Sequence, residues 1–185
     1  MKKEYTLSVF SEHKVGLLHR ITVIFSRRKI NNESLNTSES EERGIYRFNI
    51  DIKATEAMAI SVTKQIEKQI GILKAFYHTV DEIVYQEIAL YKVPTAAFAH
   101  GDEVEHLIRR HNARILTIEP EYIVVEKTGH KEETRQLFRE LESYGVLQFA
   151  RSGRIALTKQ IKEISAYLKE IETHHQETAG EVVTY

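Results

Sequence analysis

The hydrophobic period of this chain switches from two to about 3.6 and back in one fixed order, and it does so twice. Tyr5, Leu7 and Val9 alternate with Thr6, Ser8 and Phe10, so residues 4–11 predict a strand. Leu17, Leu18, Ile21, Ile24 and Phe25 form one stripe and predict a helix over residues 16–28, with Arg20, Arg27 and Arg28 mainly off it. Asn31 to Glu39 is polar and extended, which suits a sheet edge. After a turn at Glu41-Glu42-Arg43-Gly44, residues 45–53 alternate again. Tyr46, Phe48, Ile50 and Ile52 are expected inward, and Arg47, Asn49 and Asp51 outward. Residues 55–70 predict a helix through Ala59, Val62, Ile66 and Ile70, closed by Gly71, and residues 72–80 a fourth strand. Strand, helix, strand, strand, helix, strand is the split βαβ order of ferredoxin-like folds.

The second half repeats that order. Residues 86–93 predict a strand ended by Pro94, and residues 102–112 a helix with Val104, Leu107, Ile108 and His111 on one face. Strands follow at Ala113 to Ile118 and Tyr122 to Lys127, then a helix over 131–142, then short strands at Val146 to Ala150 and Ile155 to Thr158. The repeat lies in the order of elements; the halves share no residue-level identity. A final helix is expected over 160–173, from Ile161, Ile164, Leu168 and Ile171, and the polar tail after it is expected to fray. The fold class is therefore α+β. Two consecutive ferredoxin-like βαββαβ domains, residues 1–81 and 82–159, precede a closing helix and tail over 160–185.

Composition excludes several kinds of chemistry. The chain has no cysteine, which removes disulfides, thiolate catalysis and cysteine-held metals. Lys+Arg 26 against Asp+Glu 27 is not the basic balance of a nucleic-acid binder. No apolar run approaches the ~20 residues of a membrane span, and the N-terminus lacks the apolar core of a signal peptide. No membrane or nucleic-acid partner is expected, and a cytoplasmic location is. The nine histidines show no ligand spacing, so no metal site is expected. No nucleophile elbow, Walker loop or Rossmann loop is present, and no catalytic residues are expected.

Two places offer binding chemistry. A strand turns into a helix at His13-Lys14-Val15-Gly16, and the glycine keeps that bend open. The N–H groups of Gly16, Leu17 and Leu18 then face no intrahelical partner and can receive a carboxylate. The bland alternative is a glycine that merely permits the turn. Asn31 can both donate and accept hydrogen bonds. An amino acid needs both, donors for its carboxylate and acceptors for its ammonium. The second strand of a ferredoxin-like sheet lies at an edge, and an edge invites pairing with another copy. Pairing through residues 33–38 would bring Asn31 of one chain near the Gly16 bend of the other.

Gly16-Leu17-Leu18-His19-Arg20, Phe25-Ser26-Arg27-Arg28 and Asn31-Asn32-Glu33-Ser34-Leu35 resemble the N-terminal ACT domain of the small, regulatory subunit of acetolactate synthase. Glu87-Ile88-Ala89-Leu90-Tyr91-Lys92-Val93 and Ala150-Arg151-Ser152-Gly153 resemble motifs of that family's C-terminal domain, so the likeness covers roughly residues 4–159. It implies a non-catalytic subunit that dimerises through the ACT domain. Such a subunit activates the large catalytic subunit and confers inhibition by valine or a related branched-chain amino acid. The implied effector residues are Gly16, Leu17, Leu18 and Asn31, and His13, at the mouth of the same bend, is expected to join them. The resemblance puts thiamine diphosphate, magnesium and FAD on the large subunit and none in this chain. The family often carries a small polar residue at the place of His13, glycine and an aromatic at Lys29-Ile30, and an apolar residue at Asn32. A stand-alone amino acid sensor acting on another partner is the competing expectation. A small enzyme on the same scaffold is a weaker one.

Overall fold

The computed structural model describes residues 1–98 and 103–160; the expected closing helix and tail lie outside them. The chain divides into two compact units. Residues 1–84 form the first, joined by the segment from Leu157, and residues 85–156 form the second.

In the first unit, β1 (Lys3–Glu12), α1 (Leu17–Arg27), β2 (Asn32–Glu39), β3 (Ile45–Ala54), α2 (Glu56–Glu67) and β4 (Ile72–Thr79) follow in order. The sheet order is β2-β3-β1-β4, all antiparallel, as the split βαβ order requires. Tyr5, Leu7 and Val9 project from one sheet face into a core with Ile21, Phe25, Val62 and Ile66. Each such fully buried aliphatic or aromatic side chain contributes roughly 1.5–3 kcal/mol of transfer free energy.

Three expectations need correction here. Asn49 and Asp51 are buried, not outward. The face opposite the helices hides them, and their polar atoms are matched across the ladder. Thr6 Oγ1 donates to Asp51 at 2.6 Å, and Ser8 Oγ donates to Asn49 at 3.2 Å. Helix α2 stops at Glu67, one turn early, so Ile70 is 81% exposed rather than part of the stripe. Leu18 sits at the rim of its stripe and is exposed.

The second unit runs β5 (Ile83–Pro94), α3 (Glu103–Arg110), β6 (Arg114–Ile118), β7 (Tyr122–Gly129), α4 (Lys131–Glu142), β8 (Gln148–Arg151) and β9 (Ile155–Thr158). Its sheet order is β6-β7-β5-β8, with β9 also pairing β5. Tyr91, Val93, Leu107, Val125, Leu137 and Leu141 fill its core. The Tyr91 hydroxyl donates to the Thr134 carbonyl at 2.7 Å, and burial pushes that phenol's pKa up. Strand β5 begins directly after a one-turn 3-10 segment at Val80–Glu82, so no Gly/Ser linker intervenes. His111 lies past the end of α3, and its Nε2 is 3.2 Å from the Glu140 carboxylate.

The repeat is visible at atomic detail where each first helix ends. After α1, Lys29 N–H donates to Ser26 O at 3.1 Å and Ile30 N–H to Phe25 O at 3.0 Å. After α3, Asn112 N–H donates to Arg109 O at 3.0 Å and Ala113 N–H to Ile108 O at 2.9 Å. Both are Schellman closures, which need a left-handed residue after the cap. Lys29 (φ 54) and Asn112 (φ 50) are the non-glycine residues that supply it.

Candidate functional site

The bend between β1 and α1 is built around Gly16, which caps α1 in the left-handed region at φ 83, ψ −4. No heavy atom lies within 4 Å of where its Cβ would be, so backbone conformation, not crowding, selects glycine. The Gly16 carbonyl accepts the first helical bond, from Arg20 N–H at 3.1 Å. No side chain caps this helix start, and its first turn holds no acidic residue. The N–H groups of Leu17 and Leu18 therefore have no side-chain cap, at the positive end of the helix dipole. Leu17 anchors the turn at 2% exposure, while Val15 and Leu18 stay exposed beside it. Below the bend, Glu12 N–H donates to the Gly71 carbonyl at 3.0 Å, which ties β1 to the start of β4.

His13 is exposed but not adrift. Its ring stacks on Tyr46, with centroids 4.1 Å apart and planes 22° apart. Tyr46 is opposite Ser11 in the β1–β3 ladder, so β3 delivers the phenol to the mouth of the bend. Sequence reasoning named His13 and missed Tyr46. Both strands are legible in the sequence, but the register that pairs residues 11 and 46 is not, so nothing in the sequence points to Tyr46.

Asn31 stands just before β2, exposed, at the far end of the sheet from the bend. Asn32 pairs Ile52, which pairs Tyr5; Glu39 pairs Tyr46, which pairs Ser11. The seven strand steps between them amount to roughly 23 Å. Within one chain, His13, Gly16, Leu17 and Leu18 come together and Asn31 does not join them. Strand β2 is an edge strand, paired among the described residues only with β3. An antiparallel second copy on that edge would reverse its ends and carry Asn31 to the bend.

The remaining motif residues are structural. Phe25 is a core residue, Ser26 Oγ donates to the Thr22 carbonyl at 3.0 Å, and Arg28 Nε donates to Gln65 at 2.8 Å, clipping α1 to α2. In the second unit, Ser152 exchanges two 2.9 Å hydrogen bonds with the backbone of Ile88. Arg151 Nε and Arg154 Nε lie 3.2 and 3.6 Å from the buried Glu87 carboxylate, and the Arg154 guanidinium sits 4.4 Å over the Tyr85 ring. This arrangement pins the junction of β8 and β9 onto β5. Among the described residues, no group of three or more His, Asp or Glu side chains is placed to hold a metal ion. No described helix is long and apolar enough to cross a membrane.

Two ferredoxin-like units in tandem, the first with an uncapped, glycine-started helix beside a polar edge strand, define an ACT-type protein. The comparisons agree. Residues 7–74 match the model of the AHAS small subunit-like ACT domain, and residues 86–160 match that of the small subunit of acetolactate synthase. The acetolactate synthase small subunit of Mycolicibacterium smegmatis is 32% identical over 162 residues, covering 88% of this chain and 95% of that protein. That of Bacillus subtilis is 31% identical over 172 residues, covering 92% and 98%. The crystal structure of the Thermotoga maritima small subunit has the same fold, with a TM-score of 0.78 at 24% identity, over 86% of this chain and 99% of that one. This chain belongs to the acetolactate synthase small-subunit family. That membership and the ACT fold support a regulatory-subunit role.

Proposed function

We propose that this chain is the regulatory subunit of a cytoplasmic acetolactate synthase in branched-chain amino acid biosynthesis. It binds the catalytic large subunit, raises its activity, and confers feedback inhibition by valine or a related amino acid. The amino acid sits where two ACT units meet. Its carboxylate takes the N–H groups at Gly16, Leu17 and Leu18 of one chain, and its ammonium the Asn31 side chain of the other; His13 walls the mouth. The chemistry, with thiamine diphosphate, magnesium and FAD, belongs to the large subunit.

The observation that carries this reading is the open helix start at Gly16, in a chain whose polar edge strand begins at Asn31. Regulation follows if the ligand favours one arrangement of the paired units over another, since only differential affinity shifts a population. Calorimetric titration with valine, leucine and isoleucine tests the site. Binding in the native chain and loss in Asn31→Ala are expected, while unchanged binding in the variant contradicts the placement. Binding without association to the large subunit would favour the stand-alone sensor.

A further inference from the structure

Strand β2 carries opposite charge at its two ends. Just before it, α1 finishes on Arg27 and Arg28, followed by Lys29. At its other end come Glu39, the last residue of the strand, and then Glu41 and Glu42, with Arg43 the single cation among them. No acidic residue occurs between His13 and Asn32, and Glu33, the one carboxylate at the start of β2, lies 3.9 Å from the Lys53 ammonium. Arg28 is engaged with Gln65, but Arg27 and Lys29 are exposed and form no ion pair among the described residues. Glu39 accepts only the Gly44 N–H at 3.2 Å, and Glu41 faces Arg47.

We propose that these charges form a reciprocal latch between two copies of this chain. The inference rests on the pairing of ACT units through β2 and specifies what fixes that pairing. Two copies that pair the same edge strand across a two-fold axis perpendicular to it run antiparallel, and every contact then occurs twice. Arg27 and Lys29 of one copy face Glu39, Glu41 and Glu42 of the partner subunit, and the reverse. A parallel pairing sets like charges together, and a slipped one strands them. Register needs such a device here. Strand β2 reads Asn-Glu-Ser-Leu-Asn-Thr-Ser-Glu with Leu35 its main apolar side chain, and a polar strand specifies register weakly by burial alone.

The latch also bears on the ligand site. Glu39 pairs with Tyr46, whose ring carries His13, so the acidic turn lies at the bend's end of the sheet. Within one chain Arg43 and Arg47 answer only part of this charge, and the remaining carboxylate charge repels a carboxylate ligand. Arg27 and Lys29 of the partner subunit offset it, so the anion site is complete only in the pair.

The test uses the full-length chain without the large subunit or any amino acid. Sedimentation measures self-association of R27E/K29E and of E39K/E41K, each alone and mixed one to one. Each variant alone carries repulsion at both contacts and is expected to dimerise about tenfold more weakly or worse at low salt. The deficit narrows as salt rises. In the mixture both contacts become attractive, so heterodimers form with near-native affinity. Native dimerisation of either variant alone, or a mixture that associates no better than its components, overturns the latch. A misfolded variant could not be rescued by mixing, so rescue also controls for folding. Large-subunit activation is a separate readout; its absence alongside intact latch behaviour removes the proposed function and leaves the latch standing.

Discussion

His13 lies flat against Tyr46, the two rings 4.1 Å apart at their centroids and 22° apart in plane. An aromatic contact of this kind contributes about 0.5–1.5 kcal/mol beyond its buried area. Here it fixes an otherwise solvent-exposed imidazole at the mouth of the Gly16 bend. Tyr46→Leu keeps the apolar packing and removes the stack. It is expected to change amino acid affinity in the same direction as His13→Ala, and the double variant to change it little further. Calorimetry on the three variants checks this. Additive effects would mean that the stack does not position the histidine.

Lys29 occupies a left-handed backbone position at φ 54 inside a Schellman closure. A side chain there costs roughly 1–2 kcal/mol, partly offset by the greater unfolded-state entropy of glycine. Lys29→Gly and Lys29→Ala both remove the charge, so their difference isolates the backbone. The glycine variant is expected to be more stable by about 1 kcal/mol in urea unfolding at equal protein concentration. At an ordinary helical position the order would be reversed.

Glu87 is 5% exposed and lies against both Arg151 and Arg154. Removing one member of a buried charge cluster leaves the others uncompensated, which typically costs about 3–5 kcal/mol. Glu87→Ala should therefore unfold the second unit at markedly lower denaturant while the first unit keeps its transition. Fluorescence from single tryptophans introduced in each unit separates the two.

Glu126 is held below the usual carboxylate range by the Thr128 hydroxyl, which donates to it at 2.6 Å, and by Arg114. A depressed folded-state pKa stabilises the protein above the unfolded value, about 4.3, and that stability is lost as the pH falls through the folded value. Glu126→Gln should thus be less stable than the native chain at pH 7, and the gap should close in acid. Thermal unfolding from pH 7 down to pH 3 reads it. A gap that widened in acid would contradict the assignment.

Strands and helices were legible because their apolar side chains repeat at two or at 3.6 residues, and each run ended at a glycine, a proline or a polar cluster. Register was not legible. Asn49 and Asp51 looked outward-facing because polarity in a strand normally marks the wet face. Their cross-strand partners Ser8 and Thr6 match them instead. The apolar period runs on to Ile70, but helix α2 ends at Glu67, because period alone does not mark where helical hydrogen bonding stops. The bend was legible from Gly16 itself. Tyr46 was hidden because its proximity to His13 comes from the β1–β3 ladder, 33 positions away in sequence. Asn31 was legible as chemistry, but its place at the far end of the sheet from the bend depends on the β1–β3–β2 register, which was not.

The most direct measurement is acetolactate formation by the large subunit of the same source, alone, with this chain, and with this chain plus valine. The account predicts a higher rate when the chain is added and a fall toward the large subunit's own rate when valine follows. It also predicts that Asn31→Ala still activates but no longer responds to valine. A chain that neither binds the large subunit nor changes its rate contradicts the account.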